Sequence, residues 1–227
     1  MINHVHDLAS VREATDRLLD SLSRIDNAAA AEASRLPGWT RGHVLAHLSR
    51  NADALVNVLR GEPMYASGEA RDADIARDAV RSLDAHLDDL RDSAARFDAQ
   101  AALPADWERT VELRNGVTDR AARVPFRRLV EVELHHVDLG LGYELEHLSP
   151  AFTERETEFL AQRFEGQPDV PSTLVVTDAG QWRTGGAEGP ATTVSGAPAD
   201  VLGWLSGRRD GAALKAEGGP LPKLPPL

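Results

Sequence analysis

The stretch RLVEVELHHVDL, residues 128–139, carries the pattern from which we interpret the rest of the chain. On a helix with about 3.6 residues per turn, Glu131 and His135 lie four positions apart on one face, and Asp138 continues the same stripe. A carboxylate and an imidazole one turn apart supply half of a metal site or an acid/base pair. The alternative is an ordinary Glu/His pair on the surface of a helix. Aliphatic residues flank the stripe: Val130, Leu134, Val137 and Leu141.

A helix far upstream carries a second pair of histidines. Pro37 and Gly38 interrupt the chain, and Thr40 is placed to cap a helix that ends near residue 59. Within that helix His43 and His47 are again four positions apart. His47 lies deeper in the helix, where the sites of helical bundles are built, and we therefore prefer it to His43 in the first turn.

If these two helices face one another, they bring together His47, Glu131 and His135. Three such ligands with one position left for water or substrate are typical of catalytic zinc sites. Zinc is the preferred metal for this ligand set, although iron, nickel or manganese could bind it. His136 points roughly 100° away from His135, and we expect it outside the site. Asp138 is either an acceptor behind the site or a solvated aspartate.

The composition limits the functions that are open to this chain. Its 227 residues permit one large domain or two small ones. The net charge of -11, from 36 acidic and 25 basic residues, argues against a nucleic-acid partner. An anionic substrate would therefore need a local basic pocket. Because there is no cysteine, a reactive thiol would have to come from a cofactor.

The chain shows no sign of a membrane or secreted protein. No apolar run reaches the roughly 20 residues that a membrane-spanning helix needs. The first ten residues, MINHVHDLAS, lack the charged and apolar segments of a secretion signal. We expect a soluble cytoplasmic monomer without membrane partners.

Four long amphipathic segments predict a helical bundle. They cover residues 8–30, 40–59, 75–97 and 126–141. Residues 63–74 are predicted to be a connection, and Asn115-Gly116 indicates a tight turn and a small hairpin between the third and fourth helices. In a four-helix bundle, sites are built from side chains on facing helices.

The pattern changes near residue 148, where we place a domain boundary. Beyond it we predict helices at 152–164 and 198–205, with strands between them at 172–177, 181–184 and 191–195. The last ten residues, 218–227, hold four prolines and should be extended. The predicted fold class is α+β, with an N-terminal four-helix bundle at 1–148. A smaller α/β domain with a proline-rich tail follows at 149–227.

Three segments of the chain resemble the mycothiol-dependent maleylpyruvate isomerases, a family of DinB-like metal-binding bundles. They are GWTRGHVLAHLSRNADAL at 38–55, PMYASGEARDADI at 63–75 and EVELHHVDLG at 131–140. The segment at 63–75 is the more specific, since other mycothiol-related DinB-like proteins share the remaining pieces. The resemblance extends over the whole chain in order and implies a DinB-like bundle with a smaller C-terminal α/β domain.

The resemblance implies a function and a set of site residues. The family isomerises maleylpyruvate to fumarylpyruvate in the gentisate pathway, with mycothiol as thiol cofactor and zinc as metal. Its zinc ligands match His47, Glu131 and His135. Its functional arginines, which would contact substrate and cofactor, match Arg71 and Arg208.

Three points stay open at the sequence level. Arg208 is followed by Arg209, so either arginine of this pair could be the one that matches. Taken without the resemblance, Arg71 and Arg208 are better interpreted as solvated surface residues, which is by far the commoner case. The alternative functions are a mycothiol S-transferase that acts on another electrophile and a non-catalytic DinB-like binding or regulatory protein.

Overall fold

Eight α-helices and six β-strands form in residues 3–186 and 192–226, the parts of the chain that the structure, a computed structural model, describes. Contacts divide the chain into two units, Met1–Tyr143 and Glu144–Leu227. The boundary that we predict near residue 148 stays a prediction. No helix in the described ranges is both long enough and apolar enough to cross a membrane.

The first unit is built on four long helices. Its helices are α1 (His4–Leu22), α2 (Asn27–Ala31), α3 (Arg41–Arg60), α4 (Gly68–Asp78), α5 (Leu83–Ala101) and α6 (Val124–Asp138). Helix α1 packs on α5 and α6, and α3 packs on the same two helices. The four long helices therefore enclose one apolar core, as the predicted four-helix bundle requires.

Local signals explain where α3 begins and ends. The Thr40 side chain accepts a hydrogen bond from the His43 backbone N–H, and the His43 ring accepts one from the Thr40 backbone in return. These contacts satisfy backbone donors that a helix start leaves unpaired. At the other end Gly61 adopts a left-handed φ of 81°, which suits glycine at a helix terminus. The predicted cap at Thr40 is confirmed.

The prediction of one helix at 75–97 and a connection at 63–74 is wrong. Residues 68–78 already form α4, and the chain turns before α5 begins. The side chain of Ser82 accepts a hydrogen bond from Ala85 N and so starts a new helix. Asp78, fully buried at the end of α4, pairs with Arg77 and Arg81 and fixes the turn between the two helices.

The first predicted helix, at 8–30, is also divided. Helix α1 ends at Leu22, and Asp26 caps the short α2 by accepting a hydrogen bond from Ala29 N. The predicted hairpin is present: β1 (Thr110–Glu112) pairs antiparallel with β2 (Thr118–Arg120). Asn115 adopts a left-handed φ of 60° at its tip, a conformation that asparagine tolerates better than most residues.

The second unit is a small sheet with two helices. Its elements are α7 (Pro150–Phe164), β3 (Thr173–Val176), β4 (Gln181–Thr184), β5 (Thr192–Ser195), α8 (Pro198–Leu205) and β6 (Lys215–Glu217). The strand order is β4-β3-β5-β6, with β3 and β5 parallel and the other pairs antiparallel. The α+β class is confirmed, while β6 was not predicted. Ala191, the first residue of the strand predicted at 191–195, and Leu227 of the predicted tail lie outside the described residues.

Candidate metal centre

The core of the bundle brings one histidine of α3 against two residues of α6. His47 Nε2 lies 2.9 Å from Glu131 Oε2, and His135 Nε2 lies 3.3 Å from the same oxygen. The two imidazole rings meet nearly edge to face, with centroids 4.7 Å apart. Both ring nitrogens therefore point at one carboxylate oxygen, and the three side chains share a common focus.

These three residues have the donors that a divalent metal needs. One ligand atom from each of His47, Glu131 and His135 lies within 4.8 Å of the others. Two imidazole nitrogens and one carboxylate oxygen are the ligands of many open zinc sites. His47 is buried, whereas the Glu131 side chain is 32% exposed, so the cluster has an accessible side.

Asp138 orients one of the imidazoles. Its Oδ2 lies 2.8 Å from His135 Nδ1, and its side chain is buried. A carboxylate that accepts the Nδ1 proton leaves the Nε2 lone pair directed at the cluster, an arrangement common behind metal-binding histidines. Of the two roles open to Asp138, the structure therefore gives it the acceptor behind the site.

Two of the three residues of the cluster have the charges of metal ligands. Burial by itself would raise the pKa of Glu131, but hydrogen bonds with His135 and His47 hold it well below its usual range. Burial lowers the pKa of His47 and outweighs its hydrogen bond with Glu131. Glu131 is thus a carboxylate and His47 a neutral imidazole, the protonation states in which both bind metal. Burial lowers the pKa of His135, but hydrogen bonds with Asp138 and Glu131 raise it overall, so a metal ion would have to displace a proton from that ring.

Arg71 lies beside the cluster, on α4 and not in a loop as the predicted connection had it. Its Nη2 is 3.2 Å from His47 Nδ1, and its Nη1 donates to Asp72 Oδ1 at 2.6 Å. Its guanidinium carbon also lies 5.9 Å from the centre of the Tyr65 ring. The structure thus places a cation next to one histidine of the centre and a phenol ring next to that cation.

Two residues near the centre were missed by the sequence analysis. Arg128 is fully buried one turn before Glu131, where Nη1 donates to Leu48 O at 2.8 Å and Asn51 Oδ1 at 2.9 Å. Burial lowers the pKa of Arg128 to about 10, still far above neutrality. Burial has the opposite effect on Tyr65, because there it disfavours the charged phenolate. It raises the pKa of Tyr65, so the phenol stays protonated at neutral pH.

Both missed residues had a signal in the sequence. Tyr65 lies within the segment at 63–75 that carries the more specific part of the resemblance. Arg128 precedes Glu131 by three positions, so both lie on one face of α6. An arginine among the apolar residues of a bundle helix is unusual enough to indicate a buried role.

The arginine pair of the second unit has two different environments. Arg209 Nη1 pairs with Asp200 and its Nη2 with Glu146, each at 2.6 Å. Arg208 Nη1 donates to Ser206 O at 3.3 Å. Arg209 therefore joins Asp200 of α8 to Glu146 within its own unit.

The other histidines of the two motif helices lie away from the ligand focus. His43 belongs to the cap of α3, and its ring stacks near Trp39. His136 stacks on Tyr143 at 4.0 Å, and its Nε2 lies 2.9 Å from Ser21 Oγ. The contacts of these two histidines therefore lie outside the cluster.

Known proteins resemble the chain over nearly its whole length. Residues 11–140 match the family described as "Mycothiol maleylpyruvate isomerase N-terminal domain", and residues 145–226 match "MDMPI C-terminal domain". A search of curated proteins gave no match. The crystal structure of a mycothiol-dependent maleylpyruvate isomerase superposes with a TM-score of 0.89 at 26% identity, covering 99% of this chain and 97% of that one.

A second crystal structure, of a histidine-to-alanine mutant of the mycothiol-dependent maleylpyruvate isomerase, matches with the same TM-score, identity and coverage. The first family match alone spans more than half of the chain, and the two matches follow each other in the order of the two units. The chain belongs to the mycothiol maleylpyruvate isomerase family.

Proposed function

We propose that this protein is a mycothiol-dependent maleylpyruvate isomerase with a divalent metal, zinc by preference, bound by His47, Glu131 and His135. The observation that carries the proposal is the convergence of these three side chains in a chain of this family. The reaction converts maleylpyruvate into fumarylpyruvate, and we assign it to the gentisate pathway. We further propose a cytoplasmic, monomeric enzyme.

The reaction needs a thiolate and a stabilised anion. When the thiolate sulfur adds to one alkene carbon, the double bond becomes a single bond, and its electron pair moves into the neighbouring carbonyl as an enolate. Rotation about the single bond and expulsion of the thiolate restore the alkene in the trans form, so the thiol acts as a catalyst. A zinc ion at this site would supply the charge that keeps the cofactor thiol in its thiolate form at neutral pH.

The side chains of the centre would prepare it for this chemistry. Asp138 holds the His135 ring by its Nδ1 atom, which fixes the direction of Nε2. Arg128 adds a buried positive charge one turn from Glu131 and ties α6 to α3 through Leu48 O. We infer that this tie helps to keep the distance between the two ligand helices constant.

Arg71 is the residue that we assign to the substrate. The guanidinium can only donate, so its contact with His47 Nδ1 requires that nitrogen to accept. If a metal occupies His47 Nε2, the neutral ring carries its proton on Nδ1, and the two groups can no longer bond. Arg71 would then be free to bind a substrate carboxylate, and we propose Arg208 as a second arginine for substrate and cofactor.

The activity is tested by supplying maleylpyruvate to metal-loaded protein with and without mycothiol. We expect the trans product only when the thiol is present. A mycothiol S-transferase would instead consume the thiol and accumulate an adduct. A binding or regulatory protein would give neither product.

The metal ligands are tested by Glu131→Gln, which removes the shared carboxylate oxygen. We expect loss of bound metal by elemental analysis and loss of turnover. The matched control is Glu133→Gln on the same helix, whose side chain pairs with Arg17 and Tyr143 and not with the cluster. That variant should lose some stability but keep its metal, and equal metal contents in the two variants would refute the ligand assignment.

A further inference from the structure

A cavity of about 510 Å³ lies in the first unit beside the C-terminal end of α3. One wall is the chain that follows α3, from Gly61 to Gly68, and the opposite wall is the hairpin from Arg109 to Gly116. Arg109 Nη2 donates to Leu59 O at 2.6 Å and so ties the hairpin to α3. The cavity falls within the range of about 300–1,000 Å³ that is common for small-molecule sites.

The cavity adjoins the candidate metal centre through Tyr65. The Tyr65 ring lines the cavity and lies 5.9 Å from the guanidinium carbon of Arg71. Arg71 in turn is 3.2 Å from the Nδ1 atom of His47. The charges of both Glu131 and Arg114 act on the Tyr65 phenol, as expected if it stands between the centre and the hairpin. A ligand held at the cluster could therefore extend past Tyr65 into the cavity.

The charges that line the cavity favour an uncharged ligand. The lining contains two arginines, Arg109 and Arg114, and two glutamates, Glu62 and Glu112, so its formal charge is zero. Maleylpyruvate is a dianion and would gain little from such a balanced set. A molecule rich in hydroxyl groups can donate to the carboxylates and accept from the guanidinium groups at the same time.

Several of these polar side chains have no partner of their own. Within residues 3–186 and 192–226, the side chains of Glu62, Glu112 and Arg114 form no ion pair or hydrogen bond. They are exposed and so remain available to a ligand. Tyr65 adds an aromatic face against which a ring can pack.

We propose that this cavity binds the hydroxyl-rich pseudodisaccharide of mycothiol, with the thiol directed past Tyr65 toward the metal cluster. The inference rests on the proposed function, because it assumes that the cluster takes the sulfur of this cofactor. It assigns the hairpin between α5 and α6 a role in cofactor selection. It also separates the neutral cavity from Arg71, which we assign to the anionic substrate.

The test compares two pairs of substitutions, one within the hairpin and one at its base. Glu112→Ala with Arg114→Ala removes one acid and one base from the cavity lining. The control, Glu108→Ala with Arg120→Ala, removes an exposed pair joined at 3.2 Å that does not line the cavity. Both double variants leave the net charge unchanged, and circular dichroism melting checks that both are folded.

The measurements are the Kd of mycothiol, by calorimetry on metal-loaded protein, and the KM of mycothiol and of N-acetylcysteine. We expect the cavity variant to weaken mycothiol about tenfold, equal to about 1.4 kcal/mol. Its KM for N-acetylcysteine, which lacks the sugar part, should match that of the wild type. The control should match the wild type with both thiols.

Three results would overturn the inference: an unchanged Kd for mycothiol in the cavity variant, equal weakening of both thiols, or no mycothiol binding to the wild type. A wild-type protein that binds mycothiol but does not isomerise maleylpyruvate would refute the proposed function alone. In that case the Kd values of the two double variants still decide whether the cavity binds the cofactor.

Discussion

Glu131 is the residue on which the geometry of the candidate centre depends. Its Oε2 atom contacts both imidazoles, and each of the two ligand helices contributes one of those rings. The two adjacent histidines of α6 have different surroundings. His135 contacts Glu131 and Asp138, whereas His136 contacts Ser21 and Tyr143. Two adjacent histidines therefore have different chemistry because a helix turns by roughly 100° per residue.

His136 should make the stability of the protein depend on pH. It is 1% exposed, and burial together with the charge of Arg17 lowers its pKa to about 4. In an unfolded chain the pKa of histidine is about 6.5. Between these values the unfolded state binds more protons, so stability falls as the pH decreases below about 6.5. From pH 7 to pH 5 the loss due to this residue should be about 2 kcal/mol.

The measurement is urea denaturation of metal-free protein at several pH values. His136→Phe keeps a ring against Tyr143 but cannot titrate, so its stability should fall about 2 kcal/mol less than that of the wild type between pH 7 and pH 5. His6→Phe, which replaces an exposed histidine of α1, is the control and should keep the wild-type slope. Identical slopes for wild type and His136→Phe would contradict the assignment.

At the scale of elements, α3 depends on a close approach that only glycine permits. A Cβ atom on Gly42 would lie 2.1 Å from the Ala79 carbonyl oxygen, in the turn between α4 and α5. Because that atom belongs to the backbone, the turn or the start of α3 must move. We expect Gly42→Ala to destabilise the protein by about 1–3 kcal/mol and to weaken metal binding, since α3 carries His47.

Gly68→Ala serves as the matched control for this prediction. Gly68 is the first residue of α4, and a Cβ atom there would meet nothing within 4 Å. Alanine should be neutral or stabilise the protein by about 0.4–1 kcal/mol, because it restricts the unfolded chain. Urea denaturation of the two variants measures their free energies of unfolding. Similar values would show that the turn between α4 and α5 can move at little cost.

Much of the bundle could be predicted from the sequence because helical periodicity reports which side chains are buried. The four long helices follow from such spacing, and so does the face that Glu131 and His135 share. The approach of His47 to Glu131 was a condition of the prediction and depends on how α3 packs on α6. The break between α4 and α5 does not, because it depends on Asp78 and the arginines that surround it in three dimensions. Arg50 of α3 is one of these and lies 3.9 Å from Asp78.

The surroundings of the centre were harder to predict for the same reason. Arg71 reaches it because α4 folds back on α3, a contact that no local pattern encodes, and the Tyr65 ring lies beside Arg71. Arg128 is buried because Leu48 and Asn51 of another helix supply its acceptors. The first helix, predicted at 8–30, ends early for a different reason: Asp26 starts the short α2, a local cap that apolar periodicity alone does not include.

For the whole molecule, the net charge of -11 contrasts with the charge around the centre. Arg71 and the buried Arg128 offset the carboxylates of Glu131 and Asp138, and a divalent metal at the cluster would add two positive charges. A protein with an acidic surface can bind an anionic substrate if the positive charge is local, because surface charges beyond about 10 Å are screened by salt. The distribution of charge, and not its sum, is therefore consistent with the proposed substrate.

The metal should also stabilise the molecule unevenly. All three ligands belong to the first unit, and they join α3 to α6. A ligand that binds only the folded state adds about 2.7 kcal/mol at a concentration one hundred times its Kd. We therefore expect zinc to raise the Tm of the wild-type protein but not of His135→Ala, which lacks one ligand.

Hydrogen exchange should show where this stabilisation lies, with amides of α3 and α6 gaining more protection than those of β3 and β5. An equal Tm increase in His135→Ala, or equal protection of the four elements, would show that the metal binds elsewhere or that these ligands do not join the two helices.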